Sequence, residues 1–94
     1  GQVGIEPKSG KLHEDFDSQL KQVMKNIDGL LEAASTNRNK IIKTTIFLTN
    51  LGDFDKVNKA YIEFFEAPFP ARSTVEVSAL PKGALVEIEV IAAK

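Results

Sequence analysis

Three stretches of this chain place charged and hydroxyl side chains on alternate positions of β-branched sequence. They carry Lys43 and Thr45, then Arg72, Thr74 and Glu76, then Glu87 and Glu89. A planar guanidinium such as that of Arg72 can hold a carboxylate through two parallel hydrogen bonds. A carboxylate such as that of Glu87 can orient a water molecule or pass a proton. Lys43 would do Schiff-base chemistry only if burial lowered its pKa, and reads instead as an ion-pair partner. On pattern alone Arg72 reads as a surface or ion-paired arginine and Glu87 as a salt-bridge partner. Glu76 and Glu89 read as structural or interfacial.

Other chemistries find little support. Without Cys the chain has no disulfide and no thiolate nucleophile or metal ligand. Its one histidine, His13, stands at the start of a helical pattern and reads as structural or solvated. No His and carboxylate cluster has metal-ligand spacing, and the glycines form no phosphate-cradling loop. Neither a metal nor a cofactor is therefore expected. Twelve basic residues against thirteen acidic ones leave a formal charge of −1, so there is no general drive toward nucleic acid. No apolar run approaches the ~20 residues needed to span a bilayer, and no secretory leader is visible. These features predict a soluble cytoplasmic protein without membrane contact, with the mitochondrion as the alternative compartment.

The elements that position these groups follow from hydrophobic period. Ninety-four residues predict one domain over 1–94. So small a core often gains stability by oligomerising. Gln2-Val3-Gly4-Ile5 is β-compatible, and Pro7-Lys8-Ser9-Gly10 reads as a turn. A helix is predicted from His13 to Ser35, with Phe16, Leu20, Val23, Met24, Ile27, Leu30, Leu31 and Ala34 on one stripe. Glu14 and Asp15 suit the positive end of its dipole. Ile41 to Thr49 is a predicted strand. Asn50 caps a second helix that runs to about Phe65, with Phe54, Val57, Tyr61, Phe64 and Phe65 inward. Ala71 to Leu80 and Ala84 to Ala92 are strands joined by a Pro81-Lys82-Gly83 turn, the second antiparallel to the first.

The order β-α-β-α-β-β predicts an α+β two-layer sandwich: a mixed sheet with both helices on one face. Alternation places Ile42, Thr44, Ile46 and Leu48 toward the helices. On the opposite face it places Lys43, Thr45, Arg72, Thr74, Glu76, Glu87 and Glu89, mixed with Phe47, Leu85 and Ile91. That face is either an ordinary solvated surface or one packed against sister subunits, which would cover its three apolar residues.

Several segments resemble successive motifs of the RidA/YjgF family, also named the L-PSP endoribonuclease family. They are Lys43-Thr44-Thr45-Ile46-Phe47-Leu48-Thr49, Asp53-Phe54 with Val57-Asn58, Pro70-Ala71-Arg72-Ser73-Thr74-Val75, and Leu80 through Glu89. Gly1-Gln2 followed by Pro7-Lys8-Ser9-Gly10 is similar to the stretch after the family's second strand. The likeness runs through essentially the whole chain in order.

The resemblance implies a chorismate-mutase-like subunit and a homotrimer with pockets between neighbours. It implies hydrolysis of reactive 2-imino acids, of the 2-iminopropanoate and 2-iminobutanoate type, to 2-keto acids and ammonia. Arg72 matches the family's substrate arginine, and Glu87 its water-holding acid. Backbone groups around Gly1 and Thr74 match substrate contacts, and Asn58 matches a pocket-lining position, although it also reads as a solvent-facing helix residue. Many relatives carry Cys where Thr74 stands. Family members begin with two further strands that bear a Gly-Pro-Tyr segment and a Ser before the position of Gly1. Neither precedes Gly1 here, so the chain is expected to supply an incomplete site. Two other functions fit the same features: a non-catalytic trimeric module that binds or senses small carboxylates, and the endoribonuclease of the older family name.

Overall fold

Burial in the computed structural model, which describes residues 1–94, follows helical period closely in the first long segment. Phe16–Ala33 forms α1, and Phe16, Leu20, Val23, Met24, Ile27 and Leu31 are buried along it. Leu30 falls on the flank of that stripe and stays half exposed, and Ala34 lies past the helix end and is exposed. The helix starts later than His13 because Asp15 caps it, accepting from the Ser18 amide at 2.9 Å. That bond, joined by one from the Ser18 hydroxyl, holds the Asp15 carboxyl below its ordinary pKa. The second helix, α2 (Phe54–Phe64), follows a 3-10 turn at Leu51–Asp53. Asn50 caps that turn, not the helix proper, by accepting from the Gly52 amide at 2.8 Å. No helix is long and apolar enough to cross a membrane.

The strands are β1 (Gln2–Val3), β2 (Ile41–Leu48), β3 (Ala71–Glu76) and β4 (Val86–Ala92). They form one mixed sheet in the order β1-β4-β2-β3, with α1 and α2 packed on one face through a cluster of 14 buried residues. β2 runs parallel to β3, and β4 runs antiparallel to both β2 and β1. The expected pairing of the last two strands is therefore replaced, because β2 lies between them. Residues 77–85, which include the Pro81–Gly83 turn, form no tight hairpin. They carry the chain around the end of β2: the Val77 amide donates to Leu48 O at 2.8 Å, and Leu85 O accepts from the Thr49 amide at 3.3 Å.

Register, not polarity, decides which side chains face the helices. Directly paired residues in a sheet point to the same side. Thr44, Ile46 and Leu48 are buried beneath the helices, and they pair with Arg72, Thr74 and Glu76 on β3 and with Val90, Ile88 and Val86 on β4. Arg72, Thr74 and Glu76 therefore lie on the helix side, contrary to expectation. Glu87, Glu89 and Ile91 take the open side with Lys43, Thr45 and Phe47, as expected, and Ser73 and Val75 join them there. Leu85 packs at the margin of the core.

A second departure sits at the start of β2. Ile41 pairs with Ala92 and Lys43 with Ile91, which leaves Ile42 as the extra residue of a bulge. Ile41 turns inward at 7% exposure and Ile42 outward at 59%. Strict alternation would have buried Ile42.

Gln19 is the buried polar group that the hydrophobic pattern hid. At 1% exposure, its Nε2 donates to His13 O at 2.8 Å and its Oε1 accepts from the Leu85 amide at 2.8 Å. One side chain thus ties the segment before α1 to the approach of β4. Gly4 lets the chain pass close by, since a Cβ there would lie 2.5 Å from Gln19 Cα. Replacing Gln19 by Leu should lower stability by about 1–3 kcal/mol, because buried backbone groups lose their partners. The shift in urea midpoint measures this, and an unchanged midpoint would deny the tie its structural role.

Candidate functional site

The chain has two arginines, and the fold treats them differently. Arg38 is fully engaged. Its Nε and Nη2 bind the two carboxylate oxygens of Asp28, and its Nη1 donates to Phe64 O at 2.8 Å. Its guanidinium also lies 3.9 Å from the Phe64 ring centre. It ties the end of α2 to α1 and has few donors left for a ligand. A hollow of about 670 Å³ between α1 and α2 is lined by Arg38 and not by Arg72.

Arg72 has no such partner. The chain's ion pairs join Arg38 to Asp28 and Lys56 to Asp17 and Asp53, so no carboxylate lies within 4.0 Å of Arg72. Its neighbours are aromatic. The guanidinium carbon stands 5.0 Å from the Tyr61 ring centre and 5.4 Å from that of Phe54. Such contacts use the faces of rings and leave the in-plane N–H donors open. β3 is an edge strand, so Arg72 sits at the rim of the sheet.

Two of the other expected site residues gather there. Thr74 lies two positions along β3 on the same side, and its Oγ1 is buried without a hydrogen-bond partner. Asn58 is half buried on α2, four residues after Phe54 and three before Tyr61, on the helix face that carries both rings. Glu76 continues the same side of β3 but accepts from the Leu51 amide at 2.8 Å, a structural role as expected. His13 bonds Gln22 at 3.2 Å.

Glu87 and Gly1 form a separate pair. Glu87 faces the open side of β4, opposite Phe47 of β2 and Val3 of β1. A Cβ on Gly1 would lie 2.4 Å from Glu87 Oε2, so the Gly1 backbone lies close against the carboxylate, and a larger residue there would have to push this flexible side chain aside. The expectation that Arg72 and Glu87 share a face on neighbouring strands is not met. They lie on opposite faces, with β2 between their strands. Within one chain the expected residues form two half-sites: Arg72, Thr74 and Asn58 at one rim, Gly1 and Glu87 toward the other.

The pairing of Arg72 with Phe54 and Tyr61 was missed by sequence reasoning. Helical period places both rings on the buried face of α2 and gives no sign that a guanidinium lies over them. The signal available was the position of Phe54, Asn58 and Tyr61 at helical spacing.

These features define a class: an α+β sandwich that presents an unpaired guanidinium at a sheet rim. Comparison with known proteins agrees. The family profile described as endoribonuclease L-PSP matches residues 1–94. The 2-iminobutanoate/2-iminopropanoate deaminase of Salmonella typhimurium is 44% identical over the whole chain, which spans 76% of that protein. The structure of a Rid-family protein of unknown function, YyfA from Yersinia pestis, is 57% identical with a TM-score of 0.97, covering all of this chain and 76% of that one. E. coli TdcF with bound serine is 37% identical with a TM-score of 0.93, again covering all of this chain and 76% of the other. The chain belongs to the RidA/YjgF, or L-PSP, family.

The contrast between the arginines is testable without any ligand. Arg38→Ala should cost about 1–3 kcal/mol through lost charge-assisted bonds, somewhat less to the extent that water screens this half-exposed pair. Arg72→Ala should cost under about 1 kcal/mol, since only ring contacts are lost. Urea titrations of the two variants measure the difference, and equal losses would contradict the assignment.

Proposed function

We propose that this chain is a subunit of a homotrimeric hydrolase that converts reactive 2-imino acids to 2-keto acids and ammonia. The observation that carries this reading is the Arg72 guanidinium, fixed at a rim with no acidic partner in its own chain. A 2-imino acid places a carboxylate directly beside its C=N carbon. A bidentate clamp on that carboxylate fixes the electrophilic carbon, which contributes through positioning. The name of the Salmonella relative and the serine bound to TdcF, an amino acid with the same carboxylate, lend support.

The remaining half-site comes from a neighbouring copy. Glu87 of that copy holds a water and accepts a proton as the water oxygen bonds to the iminium carbon. A carbinolamine forms. Glu87 returns the proton to the nitrogen; the C–N bond then breaks as the hydroxyl oxygen forms the carbonyl and gives its proton back to Glu87, and the departing ammonia takes that proton, so that a 2-keto acid and ammonium leave. Backbone groups at Gly1 and Thr74 contact the substrate, and Asn58 lines the pocket. Assembly also covers the open sheet face, where Ile91 is 63% exposed. No metal or cofactor is needed for this chemistry.

One observation favours a second reading. Arg72 and Glu87 lie on opposite sheet faces of one chain. If no neighbour brings a carboxylate to Arg72, the site binds small carboxylates without turning them over. RNA cleavage gains no support from the near-neutral charge.

Arg72→Ala should lower kcat/KM for 2-iminopropanoate or 2-iminobutanoate by about 100-fold, and Arg72→Lys should recover little because a point charge lacks the planar fork. Ammonia release measures the first effect, and pyruvate titration measures the loss of binding. Arg72-dependent pyruvate binding without turnover would select the binding module. Turnover indifferent to Arg72 would refute both readings.

A further inference from the structure

We propose that Phe54 and Tyr61 form an aromatic bracket that positions the Arg72 guanidinium for carboxylate binding. This rests on the substrate reading given above and names how its central group is held. An arginine side chain has several free torsions, and a clamp works only when its plane is fixed. A carboxylate partner could fix it but would occupy the donors that a ligand needs. Two ring faces fix it without using an N–H.

The geometry suits that task. Cζ of Arg72 lies 5.0 Å from the Tyr61 ring centre and 5.4 Å from that of Phe54, both within the range of cation–π attraction. Tyr61 is itself held on three sides. Its hydroxyl bonds Thr44 Oγ1 at 3.0 Å and donates to Pro70 O at 3.1 Å, and its ring packs 4.7 Å from that of Phe65. Both hydroxyl partners flank Arg72: Thr44 is its cross-strand neighbour on β2, and Pro70 stands two residues before it. One phenol therefore locks α2 to the strands on which the guanidinium is mounted. Tyr61 is 6% exposed, and Phe54 is half buried on the outer turn of the same helix face. Phe54 and Tyr61 act through Arg72 and are positioning residues.

The test reads Arg72 directly. In 15N-labelled protein the two arginine Nε–H groups give separate signals, and Arg38, held by Asp28, is the internal control. Phe54→Leu should reduce the heteronuclear NOE of the Arg72 Nε–H by about half, with the Arg38 signal unchanged. The same variant should weaken pyruvate binding about 5-fold and raise KM with kcat little changed, as expected when one cation–π contact is lost. Phe54→Tyr should restore all three values. In an Arg72→Ala background, Phe54→Leu should have no further effect on kcat/KM.

An Arg72 Nε–H signal unchanged in Phe54→Leu and in Tyr61→Leu overturns the bracket. An equal effect of Phe54→Leu with and without Arg72 also overturns it, because the ring would then act on packing alone. Pyruvate affinity unchanged by Arg72→Ala removes the substrate reading instead, and the Nε–H result still decides whether the rings hold the guanidinium.

Discussion

A guanidinium carries five N–H donors and a charge that never titrates away, so a folded chain must give it water, an acid or a ring. The two arginines here illustrate two solutions. Arg38 takes an acid and a carbonyl and becomes part of the scaffold. Arg72 takes two rings and keeps its donors open. The rest of the structure bears on that difference. β2 and α2 set the position of β3, Thr44 and Pro70 hold Tyr61, and the edge location of β3 exposes the rim to whatever docks there.

Much of the architecture was legible in the sequence because hydrophobic period reports burial directly. The stripe from Phe16 to Leu31 and the alternation of Thr44, Ile46 and Leu48 give α1 and β2 with small errors at the ends. Relations between strands were less legible. Alternation says which residues of a strand share a side but not which side that is, and phase comes from register. On β3 the polar residues Arg72, Thr74 and Glu76 turn toward the helices, while Val75 turns away. Polarity misleads there because the neighbouring surface is aromatic and accepts a cation. At Ile42 a single extra residue reverses the expected sides of two isoleucines. Gln19 escaped notice because its partners, a carbonyl before α1 and an amide before β4, are distant in sequence or outside regular structure.

The candidate site divides in the same way. The identities of Arg72, Glu87, Gly1, Asn58 and Thr74 came from motif resemblance, and their grouping came from the fold. Gly1 lies close against the Glu87 carboxylate. Arg72, Thr74 and Asn58 gather at the other rim. Opposite sheet faces keep the two groups from meeting in one chain. A site on this chain must therefore either use the arginine alone or join the groups across a subunit boundary, and imine hydrolysis with a water-holding acid requires the second.

Complementation between inactive variants tests that requirement most directly. Arg72→Ala and Glu87→Gln chains, co-expressed with different affinity tags and purified through both, contain only mixed assemblies. If the half-sites meet between copies, each mixed ring of three retains one intact pairing and recovers about one third of wild-type imine hydrolysis. Activity no higher than that of either parental variant would mean that Arg72 and Glu87 do not form a site between subunits.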